Sequence, residues 1–126
     1  LNVNELSPLV MAYVGDAVFE LGVRVRLVET GLAKVGDLHR EAVARVRAPS
    51  QAACLDQLMD RLNEEEKDLV RRGRNARSSG VPQGVSVADY RHSTALETLL
   101  GCLYLKGEHA RLEEIMDLIW SLEVRS

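Results

Sequence analysis

Two carboxylates stand in stretches where apolar side chains dominate. Asp16 lies in Ala12-Tyr13-Val14-Gly15-Asp16-Ala17-Val18-Phe19-Glu20, and Glu97 in Thr94-Ala95-Leu96-Glu97-Thr98-Leu99-Leu100-Gly101. An ionised carboxylate in such surroundings is costly unless it is paired or bound to a cation. Each has a glycine nearby, Gly15 and Gly101, and glycine lets one helix backbone approach another. Two such acids on facing helices form a hard-oxygen site suited to Mg²⁺, which takes one or two carboxylates and keeps several waters. Residue type and spacing leave two other arrangements open: an acid bridged to Arg24, Arg45 or Arg91, or an acid at a solvated edge.

The second candidate is Arg71-Arg72-Gly73-Arg74-Asn75-Ala76-Arg77, followed by Ser78-Ser79-Gly80. Arg, Asn and Ser are all ligands for phosphate and sugar oxygens. The alternative is a solvated basic stretch neutralising the acids of residues 64–68. No GxxxxGK[ST] pattern marks a Walker loop. His39, His92 and His109 lack HExxH spacing, and Ser93 and Thr94 lack a nucleophile-elbow context. Cys54 and Cys102 read as small core hydrophobes. The aromatics Tyr13, Phe19, Tyr90, Tyr104 and Trp120 lie in helical stretches and do not suggest a stacking platform for single strands.

The chain has 126 residues, 46% hydrophobic and 28% charged. That is one domain of ordinary size, residues 1–126, able to bury roughly two-thirds of its unfolded surface without staples. Two cysteines without CxxC spacing exclude a disulfide framework or a zinc site of the usual kind and suggest a reducing, cytoplasmic setting. No apolar run approaches the roughly 18–20 residues of a membrane span, and no basic n-region marks a signal peptide. The missing initiator Met suggests a trimmed chain.

The net charge of −3 argues at first against a nucleic-acid partner. Yet 13 of the 16 basic residues are Arg, the side chain suited to bidentate phosphate contacts. Residues 69–88 carry four Arg and no acid, so that segment is +4 and the other 106 residues sum to −7.

The elements that must position these residues all read as helices. Ser7-Pro8 is a helix start, with apolar residues at Val10, Val14, Ala17, Val18, Leu21, Val25 and Val28 forming one broad face, and Gly31 as the stop. Asp37 is placed as the cap of a basic second helix reaching about Arg47. Pro49 breaks it, and Ser50 caps a third with Leu55, Leu58, Met59 and Leu62 inward. Asn63 opens a fourth, with Glu66 in capping-box spacing, Glu64–Glu66 at the positive end of the helix dipole, and Gly73 as the end. Residues 74–87 form the one long loop, of a length that is usually functional or mobile. A fifth helix runs from about Asp89 to Lys106. Its second half is apolar nearly all round and therefore central. A sixth spans about Glu108 to Val124, burying Leu112, Ile115, Met116 and Ile119 with Trp120 at the border.

The segment Tyr13–Glu20 resembles the Gly-Asp-Ala signature of the ribonuclease III family. Ala95–Leu105 resembles that family's second acidic helix. Asp37-Leu38-His39, Ser50-Gln51-Ala52, Arg72-Gly73-Arg74-Asn75-Ala76 and Tyr90-Arg91-His92-Ser93-Thr94 resemble its short bacterial branch, Mini-ribonuclease III. The resemblance runs from about Leu9 to Leu112. It implies an all-α, homodimeric, Mg²⁺-dependent endonuclease domain cutting double-stranded RNA to 5′-phosphate and 3′-hydroxyl ends. In this branch the implied role is maturation of the 23S ribosomal RNA precursor. Asp16 and Glu97 match the family's catalytic, metal-binding acids.

Where the longer enzymes carry further acids one turn earlier, this chain has Ala12 and Thr94. A third family acid falls near Asp37, without a secure alignment. No following double-stranded RNA-binding domain is expected. On this reading Thr94 orients a water, and Arg71, Arg72, Arg74, Asn75 and Arg77 contact RNA, with Arg40, Arg45 and Arg47 as second choices. The alternatives are an inactive, ribosome-associated RNA binder of the same fold, or a helical module whose arginines meet an acidic protein.

Overall fold

The computed structural model describes residues 1–77 and 80–122 and is all-α. Six α-helices follow in order among the described residues: α1 Pro8–Glu29, α2 Val35–Val46, α3 Ala48–Leu58, α4 Glu64–Asn75, α5 Val87–Leu105 and α6 His109–Ser121. The central member is α5, which packs against α1, α3, α4 and α6. Its Ala95, Leu96, Thr98, Leu99 and Leu100 are wholly buried, as the apolar run predicts.

Local signals set several boundaries as read. Ser7 accepts from the Val10 amide at 3.3 Å with Pro8 at the first helical position, and Gly31 follows the helix with φ +93°. Asn63 and Glu66 close a reciprocal capping box at 2.8 and 3.0 Å. The four α6 residues expected inward are buried. The expected α6 end at Val124 and the loop residues Ser78 and Ser79 lie outside the described residues.

Four boundaries differ. Helix α2 starts at Val35, so Asp37 sits in its first turn and pairs with Arg40 rather than capping. Helix α3 starts at Ala48, with Pro49 in its opening turn, where a proline's missing N–H has no partner to lose. Ser50 is therefore helical and buried, and its hydroxyl donates to Ala44 O at 2.7 Å. Helix α5 is capped by Ser86 and starts at Val87, two residues before the expected start at Asp89. Helix α4 continues through Gly73 to Asn75, because this glycine is a packing residue rather than a stop. A Cβ there would lie 2.9 Å from Ala95 Cα and 2.6 Å from Thr98 Oγ1.

The largest difference concerns α1. Its core side is Met11, Ala12, Gly15, Phe19, Val23 and Leu27. The face read from the sequence points elsewhere: Val10, Leu21, Val25 and Val28 are exposed, Leu21 at 64%. The helix is apolar on two sides, and periodicity alone does not say which side meets the core.

A buried ion pair ties α4 to α6. Arg111 donates to both Glu66 oxygens at 2.8 Å and to Arg61 O at 2.8 Å. The guanidinium holds the Glu66 carboxyl below its ordinary range. Arg111→Met is expected to lower stability by about 2–3 kcal/mol, because it leaves that carboxylate buried and unpaired. Glu66 has a depressed folded pKa, so its contribution is present above its unfolded value and lost as pH falls through the folded one. Thermal melts should therefore show the wild-type advantage at neutral pH shrinking in acid.

Candidate active site

The site forms where α1 crosses α5. The crossing is closer than side chains permit. A Cβ on Gly15 would lie 1.7 Å from Glu97 O, and one on Gly101 would lie 1.8 Å from Met11 O. Only hydrogens fit between these backbones, and the glycines beside the two acids are what let the helices touch.

That contact brings Asp16 and Glu97 within hydrogen-bonding reach of each other. Asp16 is on the exposed rim, whereas Glu97 is half-buried behind it. The desolvation cost expected of both acids therefore falls mainly on Glu97. Burial first, then the neighbouring Asp16 carboxylate, pushes the Glu97 carboxyl up to about 8, while a Gln51 amide contact opposes the rise. Two carboxylates this close resist full ionisation without a cation between them.

The bridged-acid alternatives do not occur. Arg24 pairs with Glu20 on its own helix at 2.7 Å. Arg45 pairs with Glu41 at 2.7 Å and lies over the Trp120 ring at 4.8 Å. Among the described residues no basic side chain forms an ion pair with Asp16 or Glu97, and Arg91 pairs with no acid. Asp37 does not join the acids: no cluster of three or more His, Cys, Asp or Glu able to hold a metal occurs among the described residues. The donor set is thus two hard carboxylate oxygens on an apolar wall with an exposed side, a set that fits Mg²⁺ completing its shell with water.

Thr94 is buried one turn before Glu97, and its hydroxyl donates to Tyr90 O at 3.0 Å. Its proton is committed to its own helix, and only lone pairs remain to receive a water. Arg71, Arg72, Arg74, Asn75 and Arg77 are all exposed at the α4 end and just beyond it. Arg71 pairs with Asp68, whereas Arg72, Arg74 and Arg77 have no ion-pair partner among the described residues. Gly73 abuts the stretch of α5 from Ala95 to Thr98, so the flanking Arg72 and Arg74 emerge at the level of Glu97 along that helix.

Gln51 was missed as a site residue. It stands at positions 51, 55 and 58 with Leu55 and Leu58, a polar side chain in a core register. That misfit was the available signal.

Comparisons with known proteins place the chain in a family. The Ribonuclease III domain family model matches residues 9–108. A Mini-ribonuclease 3 of Symbiobacterium thermophilum is 50% identical over 88% of this chain and 85% of its own length. One from a Thermoanaerobacter species is 50% identical over 90% and 80%. A crystal structure of a Fusobacterium nucleatum protein superposes with a TM-score of 0.81 at 28% identity, covering 91% of this chain and 92% of that one. The match spans both acids, both crossing glycines and the α4 arginines, and the chain belongs to the Mini-ribonuclease 3 branch of the ribonuclease III family of endoribonucleases.

Proposed function

We propose that this endoribonuclease cuts double-stranded RNA with Mg²⁺ held by Asp16 and Glu97, and that precursor 23S ribosomal RNA is its biological substrate. The observation that carries the reading is a carboxylate pair without a cationic partner among the described residues, set at the level of an arginine-bearing helix end. When bound, Mg²⁺ neutralises charge on the scissile phosphate and makes water a competent nucleophile at neutral pH. Asp16 reaches in from the solvent side and Glu97 from the wall. The apolar residues behind Glu97 limit water on that side. Thr94, with its proton engaged, accepts from a water at the site edge. Cleavage leaves 5′-phosphate and 3′-hydroxyl ends.

Duplex RNA is recognised mainly through phosphates and 2′-hydroxyls. Arg72, Arg74, Asn75 and Arg77 serve as first contacts, and Arg71 joins them by exchanging Asp68 for phosphate. So few contacts give weak binding with a measurable salt slope.

A homodimer presents one acid pair to each strand. Support for it comes from α1, whose residues Val10, Val14, Ala17, Leu21, Val25 and Val28 follow a spacing close to the heptad of a helix seam. Four of them are more than 45% exposed. Leu21→Glu is expected to yield a folded monomer by light scattering, with cleavage of paired strands reduced more than nicking.

The test of substrate class is a labelled RNA duplex set against its separated strands, in Mg²⁺ and in EDTA. Cleavage of the duplex in Mg²⁺ alone is expected. Binding without cleavage would select the inactive RNA-binder alternative, and cleavage of single strands at an equal rate would remove the duplex from the reading.

A further inference from the structure

Gln51 is buried to 3% exposure, and packing does not account for it. Its amide nitrogen donates to Val46 O at 2.8 Å, where α2 ends, and reaches Glu97 Oε2 at 3.4 Å. Its amide oxygen is buried and finds no hydrogen-bond partner among the described residues. A buried acceptor without a partner is expensive, and an apolar side chain of the same volume carries no such penalty. The amide is a neutral donor facing Glu97 from α3. Its two hydrogens span the α2–α3 junction and the carboxylate.

We propose that Gln51 is a positioning residue that clamps Glu97 for cation binding, fixing one carboxylate oxygen against the junction and leaving the other for the cation. Without the clamp, a glutamate with three side-chain torsions spreads over several rotamers. Hydrogen-bond partners behind a metal-ligating carboxylate commonly account for a tenfold to hundredfold difference in affinity or rate. The inference rests on the reading of Asp16 and Glu97 as the cation-holding pair.

Mn²⁺ is the probe, its free aqua ion counted by electron paramagnetic resonance with no RNA present. Gln51→Met keeps the volume and removes the donors. It is expected to weaken Mn²⁺ binding about tenfold and to lower kcat on duplex RNA about 10- to 100-fold, with KM little changed. Gln51→Asn keeps the amide but falls one methylene short, and should lose affinity likewise even where the methionine variant folds poorly. Ser50→Ala removes a neighbouring tie at the same junction. It should lower the melting temperature while leaving Mn²⁺ affinity and kcat as in the wild type. Gln51 variants that bind Mn²⁺ and turn over like the wild type, whatever their melting temperatures, would overturn the clamp. Mn²⁺ binding that survives Asp16→Asn would instead overturn the acid-pair reading, and the clamp with it.

Discussion

Glu97→Gln is expected to abolish cleavage and to make the metal-free protein more stable. The loss of rate follows from removing a charged oxygen at the proposed metal site and should be about 10³-fold or more. The gain in stability follows from the proton ledger. Glu97 moves from an ordinary 4.5 to about 8 in the folded chain. Between those values the folded state holds a proton that the unfolded state has released. Stability therefore falls as pH rises through that window, and above about 8 the buried charge is fully penalised. Glutamine mimics the protonated acid at every pH. The variant's advantage should be absent near pH 4.5 and complete above about pH 8, where about 2–3 kcal/mol is expected after allowance for solvent at this half-buried group. Added Mg²⁺ should raise the melting temperature of the wild type and not that of the variant.

The second large effect lies in the backbone crossing. Gly101→Ala and Gly15→Ala place a methyl within 2 Å of a carbonyl oxygen on the facing helix. Neither partner is a side chain that can turn away, so α1 and α5 must separate along the most buried contact of the fold. A loss of about 3–5 kcal/mol is expected, enough to leave much of the chain unfolded. Any folded remainder should have lost activity, because the same separation draws Asp16 off Glu97. Gly22→Ala supplies the contrast on the same helix. Its methyl meets the flexible end of Met116 at 2.5 Å and the Arg26 guanidinium at an ordinary 3.5 Å, with no backbone atom among its nearest neighbours. Met116 can shift, and alanine's better helix propensity offsets the strain. Denaturant melts of the three variants should rank Gly22→Ala near the wild type and the two crossing variants far below it.

The acids and their glycines were legible in the sequence because a charge amid apolar residues is a local anomaly that needs no alignment. The capping box at Asn63 and the centrality of α5 were legible for the same reason: each is a short-range pattern with one physical meaning. The outward face of α1 was not legible. Valines and leucines at helical spacing signal removal from water, and an exposed apolar face gives the same signal as a core. Gly73 misled in the same way, because a helix-stopping glycine and a helix-packing glycine are identical until the facing helix is known. The depth of Glu97 relative to Asp16 also depends on a crossing angle that no spacing encodes. Gln51 announced itself only as a polar residue in the Leu55–Leu58 register, and its meaning appeared when α3 was placed beside α5.

The central claim is that Asp16 and Glu97 act together as the cation-dependent cutting centre. Its most direct test is single-turnover cleavage of an end-labelled RNA duplex by wild type and Asp16→Asn, side by side in Mg²⁺, with both shown folded and both bound to the duplex. Asp16 is exposed and makes no ion pair with a basic residue among the described residues, so the variant should fold and bind as the wild type does. Cutting by the wild type and none by the variant is the predicted result. Mg²⁺-dependent cutting by Asp16→Asn at a rate near that of the wild type would contradict the claim.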